Sequence, residues 1–151
     1  MVTFVVLAVV LLVLGAIIAL QVDDWSRDLT TNHAETSLDA GDQALRPLDS
    51  DRSVNETAGT IERAAETLPR WSFEGRTEAG NVITLRFIRA TKLFGFKDDI
   101  TLRVEPSAQG AIVNATSQSR VGKGDLGQNP RNLKEILDAV RKQLDTTRDI
   151  P

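Results

Sequence analysis

Twenty-one residues without a single charge, Val2 to Val22 (VTFVVLAVVLLVLGAIIALQV), constrain this chain more than any other feature. Only Thr3 and Gln21 are polar, each near one end. As a helix the run rises about 31 Å at about 1.5 Å per residue, matching a hydrocarbon core of about 30 Å. In lipid every backbone amide must find its partner within the segment, which favours a helix. A core helix apolar on all sides would need a larger body around it than the 129 remaining residues can build. A cleaved signal peptide would carry a basic start, a shorter apolar run and a small-x-small site. Neither Met1-Val2-Thr3 nor Ile17-Ile18-Ala19-Leu20-Gln21-Val22 supplies these. The sequence therefore predicts a retained, single-pass anchor through residues 2–22, contacting the lipid bilayer of the cell membrane. Trp25, just beyond it, is expected at the interface. Arg27 is the only basic residue close to either end of the run. The domain is expected outside the cytoplasm, and Asn55-Glu56-Thr57 and Asn114-Ala115-Thr116 fit the glycosylation pattern that would accompany that side.

The residues beyond the anchor amount to about one domain. The chain has no cysteine, one histidine and no tyrosine. Disulfides, thiolate nucleophiles and cysteine-linked lipids are thus excluded, and little remains for acid–base chemistry. Asp23 to Glu66 holds eleven acidic and four basic side chains, a net of −7, whereas Thr67 to Pro151 holds fourteen basic and ten acidic, a net of +4. The second value is too small for nucleic-acid binding. Aspartate exceeds glutamate and arginine exceeds lysine, a bias that hints at a salt-adapted source.

Residues 23–52 show scattered leucines in no regular period and are read as an acidic linker. A helix starts at Ser53, where Ser53 and Glu56 make a capping box. Val54, Ala58, Ile61, Ala65 and Leu68 then fall on one face, and Pro69 ends the element. Four strands come next. Trp71 and Phe73 alternate with Ser72, Glu74 and Arg76. After the turn Glu78-Ala79-Gly80-Asn81, Ile83, Leu85 and Phe87 share one face. Ile100, Leu102 and Val104 do the same, and the fourth strand runs roughly Ala111 to Ser119. Short connections favour antiparallel pairing. A last helix is expected with Asn129 as cap and Pro130 at its first position, carrying Leu133, Ile136, Leu137, Val140 and Leu144 as its apolar stripe. The predicted domain, residues 53–151, is α+β: an antiparallel, roughly four-stranded sheet in the order α-β-β-β-β-α, with both helices on its apolar face.

Two segments concentrate chemistry. From Ser119 to Asn132, three glycines (Gly122, Gly124, Gly127) lead into a helix N-terminus beside Arg120, Lys123 and Arg131. Free amides, a helix dipole and positive charge suit a phosphate, a carboxylate or a lipid headgroup. Asp125 and Asn129 complete the candidate set of ligand-binding residues. No nucleotide-loop spacing is present. The plainer alternative, favoured by the shared chemistry of caps and anion sites, is a structural crossover with Asp125 paired locally. In the second segment, Leu93, Phe94 and Phe96 sit between Lys92 and Lys97 and could meet a membrane interface or a partner. The plainer alternative is a loop folded back over the core. Asp98 and Asp99 are adjacent, so on a strand they point to opposite faces, poor geometry for a shared acid–base pair. His33 has no second histidine or cysteine to make a zinc site. No catalytic residue, metal ligand or cofactor is assigned.

The run Thr91-Lys92-Leu93-Phe94-Gly95-Phe96-Lys97-Asp98-Asp99-Ile100, followed by Ser117-Gln118-Ser119-Arg120-Val121-Gly122-Lys123-Gly124-Asp125-Leu126-Gly127-Gln128-Asn129, resembles the bacterial and archaeal domain-of-unknown-function family 1499 (DUF1499). Its pattern is similar: F-x-D-D before a strand, then S-R-V-G-x-x-D-L-G-x-N before the last helix. The likeness covers roughly Leu29 to Leu144. It implies a shared fold and brings no activity, substrate or catalytic residue. Many relatives carry Pro-Asn-Cys near the start of the domain, where the comparable stretch here is Thr31-Asn32-His33-Ala34. That departure puts in doubt any role requiring the cysteine. The leading functional expectation is a membrane-tethered, non-catalytic module that binds a membrane protein partner or supports a membrane complex. An anion or lipid-headgroup binder is the alternative, and a hydrolase using Asp98, Asp99 or Asp125 is a third.

Overall fold

The structure, a computed structural model, describes residues 2–21, 30–92 and 95–148. Helix α1 spans Val2–Gln21. The side chains of Val2, Leu14 and residues 17–21 lie outside the described set. Among the described residues, no helix is long and apolar enough to cross a membrane. The structure thus gives the expected helix without an established transmembrane span. Val22, Asp23, Trp25 and Arg27, and the interfacial role expected of Trp25, lie outside the described residues, as do Leu93 and Phe94.

The remaining elements are β1 (His33–Glu35), a 3-10 turn (Gln43–Leu45), β2 (Leu48–Ser50), α2 (Val54–Glu66), β3 (Trp71–Ala79), β4 (Val82–Ala90), β5 (Lys97–Ser107), β6 (Gly110–Ser119) and α3 (Gln128–Arg148). The sheet is antiparallel in the order β1-β6-β5-β4-β3, with β2 also paired to β6. It therefore has six strands where four were expected. The two extra strands come from the stretch read as a linker. His33–Glu35 pairs with Thr116–Gln118, and Leu48–Ser50 pairs with Ala111–Val113, so the two lie in tandem along one edge of β6. Three-residue strands carry too little alternation to be read against an acidic background. Between them the segment is fastened by Ser37 N–H donating to Leu45 O at 3.1 Å and by a 2.8 Å ion pair from Lys134 to Asp42. Hydrogen bonding to Lys134 holds the Asp42 carboxyl below its ordinary value.

One apolar face carries both helices. Ile83, Leu85 and Phe87 on β4 face Val104, Leu102 and Ile100 on β5, and Val113 and Ala115 continue the layer on β6. Ala58, Ile61, Ala64 and Ala65 of α2 and Leu133, Ile136, Leu137, Val140 and Leu144 of α3 join the same buried cluster. The capping box of α2 forms as expected, with Ser53 Oγ accepting from Glu56 N–H and Glu56 Oε2 accepting from Ser53 N–H.

Strand β3 departs from the simple alternation. A bulge between Phe73 and Gly75 places Arg76 opposite Leu85, on the side that carries Phe73 opposite Phe87. One inserted residue inverts the phase of everything after it. Arg76 closes the core edge by reaching Glu62, Glu78 and Asn55.

Gly110 opens β6 at φ +142°, and a Cβ there would stand 2.5 Å from Ser50 O and 2.8 Å from Arg52 O. Gly110→Ala is expected to lower the urea midpoint and the stability by about 1–3 kcal/mol, because both the backbone conformation and the β2 contact resist it. The capping box adds a pH effect. Its bonds to Ser53 hold the Glu56 pKa below its ordinary 4.5. The contribution is therefore present above about pH 4.5 and lost as pH falls through the lowered value. Glu56→Gln should flatten the acid limb of the stability profile, which thermal melts between pH 3 and 6 would reveal.

Candidate functional site

Both family-like segments meet at one end of the sheet, where the inward face changes from apolar to polar. A step of two along each strand keeps the face. Phe87 is followed by Arg89 on β4, Ile100 is preceded by Asp98 on β5, and Ala115 is followed by Ser117 and Ser119 on β6. The first two turns of α3 lie over these residues with Asn129, Asn132 and Glu135.

The side chains form a continuous network. Asn132 Nδ2 donates to Asp98 Oδ2 at 2.9 Å and to Ser117 Oγ at 3.1 Å. Ser117 Oγ donates to Asn129 Oδ1 at 2.6 Å. Asn129 Nδ2 donates to Asn32 O at 2.7 Å and to Ser119 Oγ at 3.1 Å. Gln128 Nε2 donates to Asn132 Oδ1 at 2.7 Å. Asp98 is 1% exposed, and Ser117, Asn129 and Asn132 are fully buried. Buried polar groups are tolerated when bonded in this way, since each unpaired one costs about 1–3 kcal/mol. The cross-strand partner of Asp98 is Arg89, itself nearly buried and bonded through Nε to Glu135 Oε2 at 3.2 Å. Trp71 Nε1 donates to that same carboxylate oxygen, also at 3.2 Å.

Asp125, rather than Asn129, caps α3. Its Oδ1 accepts from Gly127 N–H at 2.9 Å and its Oδ2 from Asn129 N–H at 2.8 Å, while its carbonyl accepts from Gln128 N–H at 3.0 Å. A carboxylate serves both the orphan amides and the positive end of the dipole. The helix therefore begins earlier than expected, and Asn129 is turned inward as a clamp. Gly127 at φ +73° and Leu126 at φ +52° shape the approach. The left-handed conformation costs a leucine about 1 kcal/mol or more.

Of the residues proposed from sequence, Arg120 lies on the outer face in a two-pronged ion pair with Asp99, with Nη2 to Oδ1 at 2.6 Å and Nε to Oδ2 at 2.9 Å. That carboxylate holds the guanidinium above its ordinary value. Gly122 presents its carbonyl to Asn32 Nδ2 at 2.9 Å. Lys123 is exposed and Gly124 half-buried, and Arg131 reaches Gln128 Oε1 at 3.5 Å. Phe96 is 48% exposed. Asp98 points inward and Asp99 outward, as alternation requires.

Sequence reasoning missed Asn32, Arg89, Ser117, Asn132 and Glu135 as members of this cluster. The readable signal is a polar residue standing in apolar phase, as Ser117 does two residues beyond Ala115 and four beyond Val113. Among the described residues, no three His, Cys, Asp or Glu side chains gather to hold a metal. Among the described residues, two surface clefts adjoin the Trp71–Glu135 side of this cluster, one of about 230 Å³ bounded by Glu62, Trp71, Phe73 and Phe87, the other of about 500 Å³ between Thr67, Leu68 and the side of α3 that carries Glu135 and Asp138.

A family model described as "Protein of unknown function (DUF1499)" matches residues 24–140. No curated protein matches the chain.

Removing the cap alone separates its local role from the clamp. Asp125→Ala should cost about 0.5–2 kcal/mol, the usual value for losing a helix cap, with Asp125→Asn costing less. Asn132→Ala should cost more than a cap because it takes from the buried Asp98 its Asn132 donor and from Ser117 one of its two bonds. Chemical denaturation of the three variants ranks them.

Proposed function

The chain belongs to the DUF1499 family, and from that premise we propose that it is a membrane-tethered, non-catalytic module that binds a membrane protein partner or supports a membrane complex. The observation that carries this reading is α1. Twenty helical residues bear no charge, and Phe4, Leu7, Leu11 and Leu12 are exposed along it. At about 1.5 Å per residue the helix is about 30 Å long, the thickness of a bilayer's hydrocarbon core. Large apolar side chains displayed along a helix call for lipid or an apolar partner. On this reading the chain sits at the cell membrane with its domain on the outer side.

The non-catalytic part of the reading is supported by how the three candidate aspartates are used. Asp98 accepts from Asn132, Asp99 pairs with Arg120, and Asp125 caps a helix. The anion-binding alternative draws on the exposed Lys123, but the amides such an anion would use already hold the Asp125 carboxylate.

Full-length protein should stay with the membrane pellet through alkaline carbonate washing. An arginine at the helix centre costs about 2.5–3.5 kcal/mol of insertion, so Leu11→Arg should move a large share into the wash. Wild-type protein released by carbonate would remove the tether. Affinity purification in mild detergent should then recover a stoichiometric protein partner, and a lone monomer would count against the partner role.

A further inference from the structure

Outside α1, five large apolar residues are exposed among those described: Leu38, Phe73, Phe96, Val121 and Leu126. Three of these stand at one end of the domain. Phe96 precedes β5, while Val121 and Leu126 lie between β6 and α3. The two loops are joined by Arg120 N–H donating to Lys97 O at 3.1 Å. Val121 is 58% exposed and Leu126 38%. Lys92, Lys97 and Lys123 are exposed around them. Of the nearby acids, Asp98 is buried, Asp99 is paired with Arg120 and Asp125 is bonded to helix amides, while the exposed Glu74 lies close enough to act on Arg120. The opposite end, at the turns Gly80-Asn81 and Ala108-Gln109, shows no comparable apolar display among the described residues.

The path of the chain adds an independent constraint. Asn32 is fixed at this same end, its carbonyl accepting from Ser119 N–H at 2.9 Å and its side chain donating to Gly122 O. The eleven residues from Val22 to Asn32 span at most about 40 Å when extended. If α1 is a bilayer anchor, its end lies within that reach of Asn32, so these loops can meet the headgroups.

We infer that Phe96, Val121 and Leu126, ringed by Lys92, Lys97 and Lys123, form a face that docks on the anionic surface of the bilayer holding α1. This rests on the tether reading and deepens it. Apolar side chains enter the interfacial zone while the lysines meet anionic headgroups. Eleven connecting residues keep the face at high local concentration, so weak individual contacts suffice. Docking would also fix the orientation of the domain, leaving the outer sheet face and the β3 edge accessible to a partner.

The absence of cysteine permits site-specific labelling of the full chain. Val121→Cys and, as the far-end reference, Asn81→Cys would each carry a spin label in vesicles of phosphatidylglycerol or of phosphatidylcholine. The face is supported if the label at 121 in phosphatidylglycerol gains collisions with oxygen and loses collisions with a water-soluble nickel reagent, while the label at 81 stays aqueous. Lys123→Gln should then lower the docked fraction about fivefold at low salt, the effect of one basic residue near an anionic surface. Leu126→Gly should weaken docking without endangering the fold, since glycine accepts the left-handed backbone there. An aqueous label at 121 on protein that survives carbonate washing overturns the docking face and leaves the tether standing. Protein that washes off the vesicles overturns both. Equal contact in both lipids overturns the anionic preference.

Discussion

The position of α3 depends on two buried asparagines. Apolar packing alone would let a helix slide or rotate on a sheet at small cost, because dispersion contacts are non-directional. Asn129 and Asn132 remove that freedom by engaging Ser117, Asp98, Ser119 and the carbonyl of Asn32, groups drawn from β5, β6 and the segment before β1. The hydrogen bonds are directional, and those among Asp98, Ser117, Asn129 and Asn132 are buried, so a shift would strand them in a low-dielectric setting. The apolar stripe from Leu133 to Leu144 then lands on the inward ladder in one register. The same clamp fastens the start of the domain, since Asn32 cannot leave without unpairing Asn129.

Around that clamp the charges divide by task. Arg89, Glu135 and Trp71 close the end of the core, Asp125 satisfies the first amides of α3, and Asp99 holds Arg120 on the solvent side. The two segments that resemble the family pattern are thereby accounted for largely as architecture. F-x-D-D supplies one inward and one outward carboxylate, and S-R-V-G-x-x-D-L-G-x-N supplies the turn, the cap and the clamp. Left over at this end, among the described residues, is a set of lysines and three apolar tips.

Much of this is legible in the sequence. The α2 capping box, the β4 and β5 alternation, the stripe of α3 and the opposed directions of Asp98 and Asp99 arise from local chemistry and period alone. Strands β1 and β2 are not legible, because three residues are too few to show a period and their pairing is with a strand about eighty residues away for His33. The phase of β3 after Gly75 is hidden by a bulge, which leaves no mark in a two-residue period until the partner strand is known. The cap of α3 is easily misplaced because Asp125 and Asn129 are both good capping residues, and only the burial of Asn129 against Ser117 decides between them. In sequence the site reads as a ring of glycines and cations, whereas its centre consists of Ser117 and Asn132, polar residues set in apolar phase.

The buried side chains of this polar end bond to one another as a clamp and do not form an open binding site. Regions that receive ligands tend to open at low free energy, whereas core elements exchange only through global unfolding. Native-state amide hydrogen exchange on the full-length protein decides between these. The clamp predicts that the amides of Ser119 and Asn129, which donate to Asn32 and Asp125, exchange with the same free energy as Leu102 in the centre of β5. Exchange of Ser119 and Asn129 through a local opening several kcal/mol below that of Leu102 would contradict it, and would make the end of the sheet a mobile site.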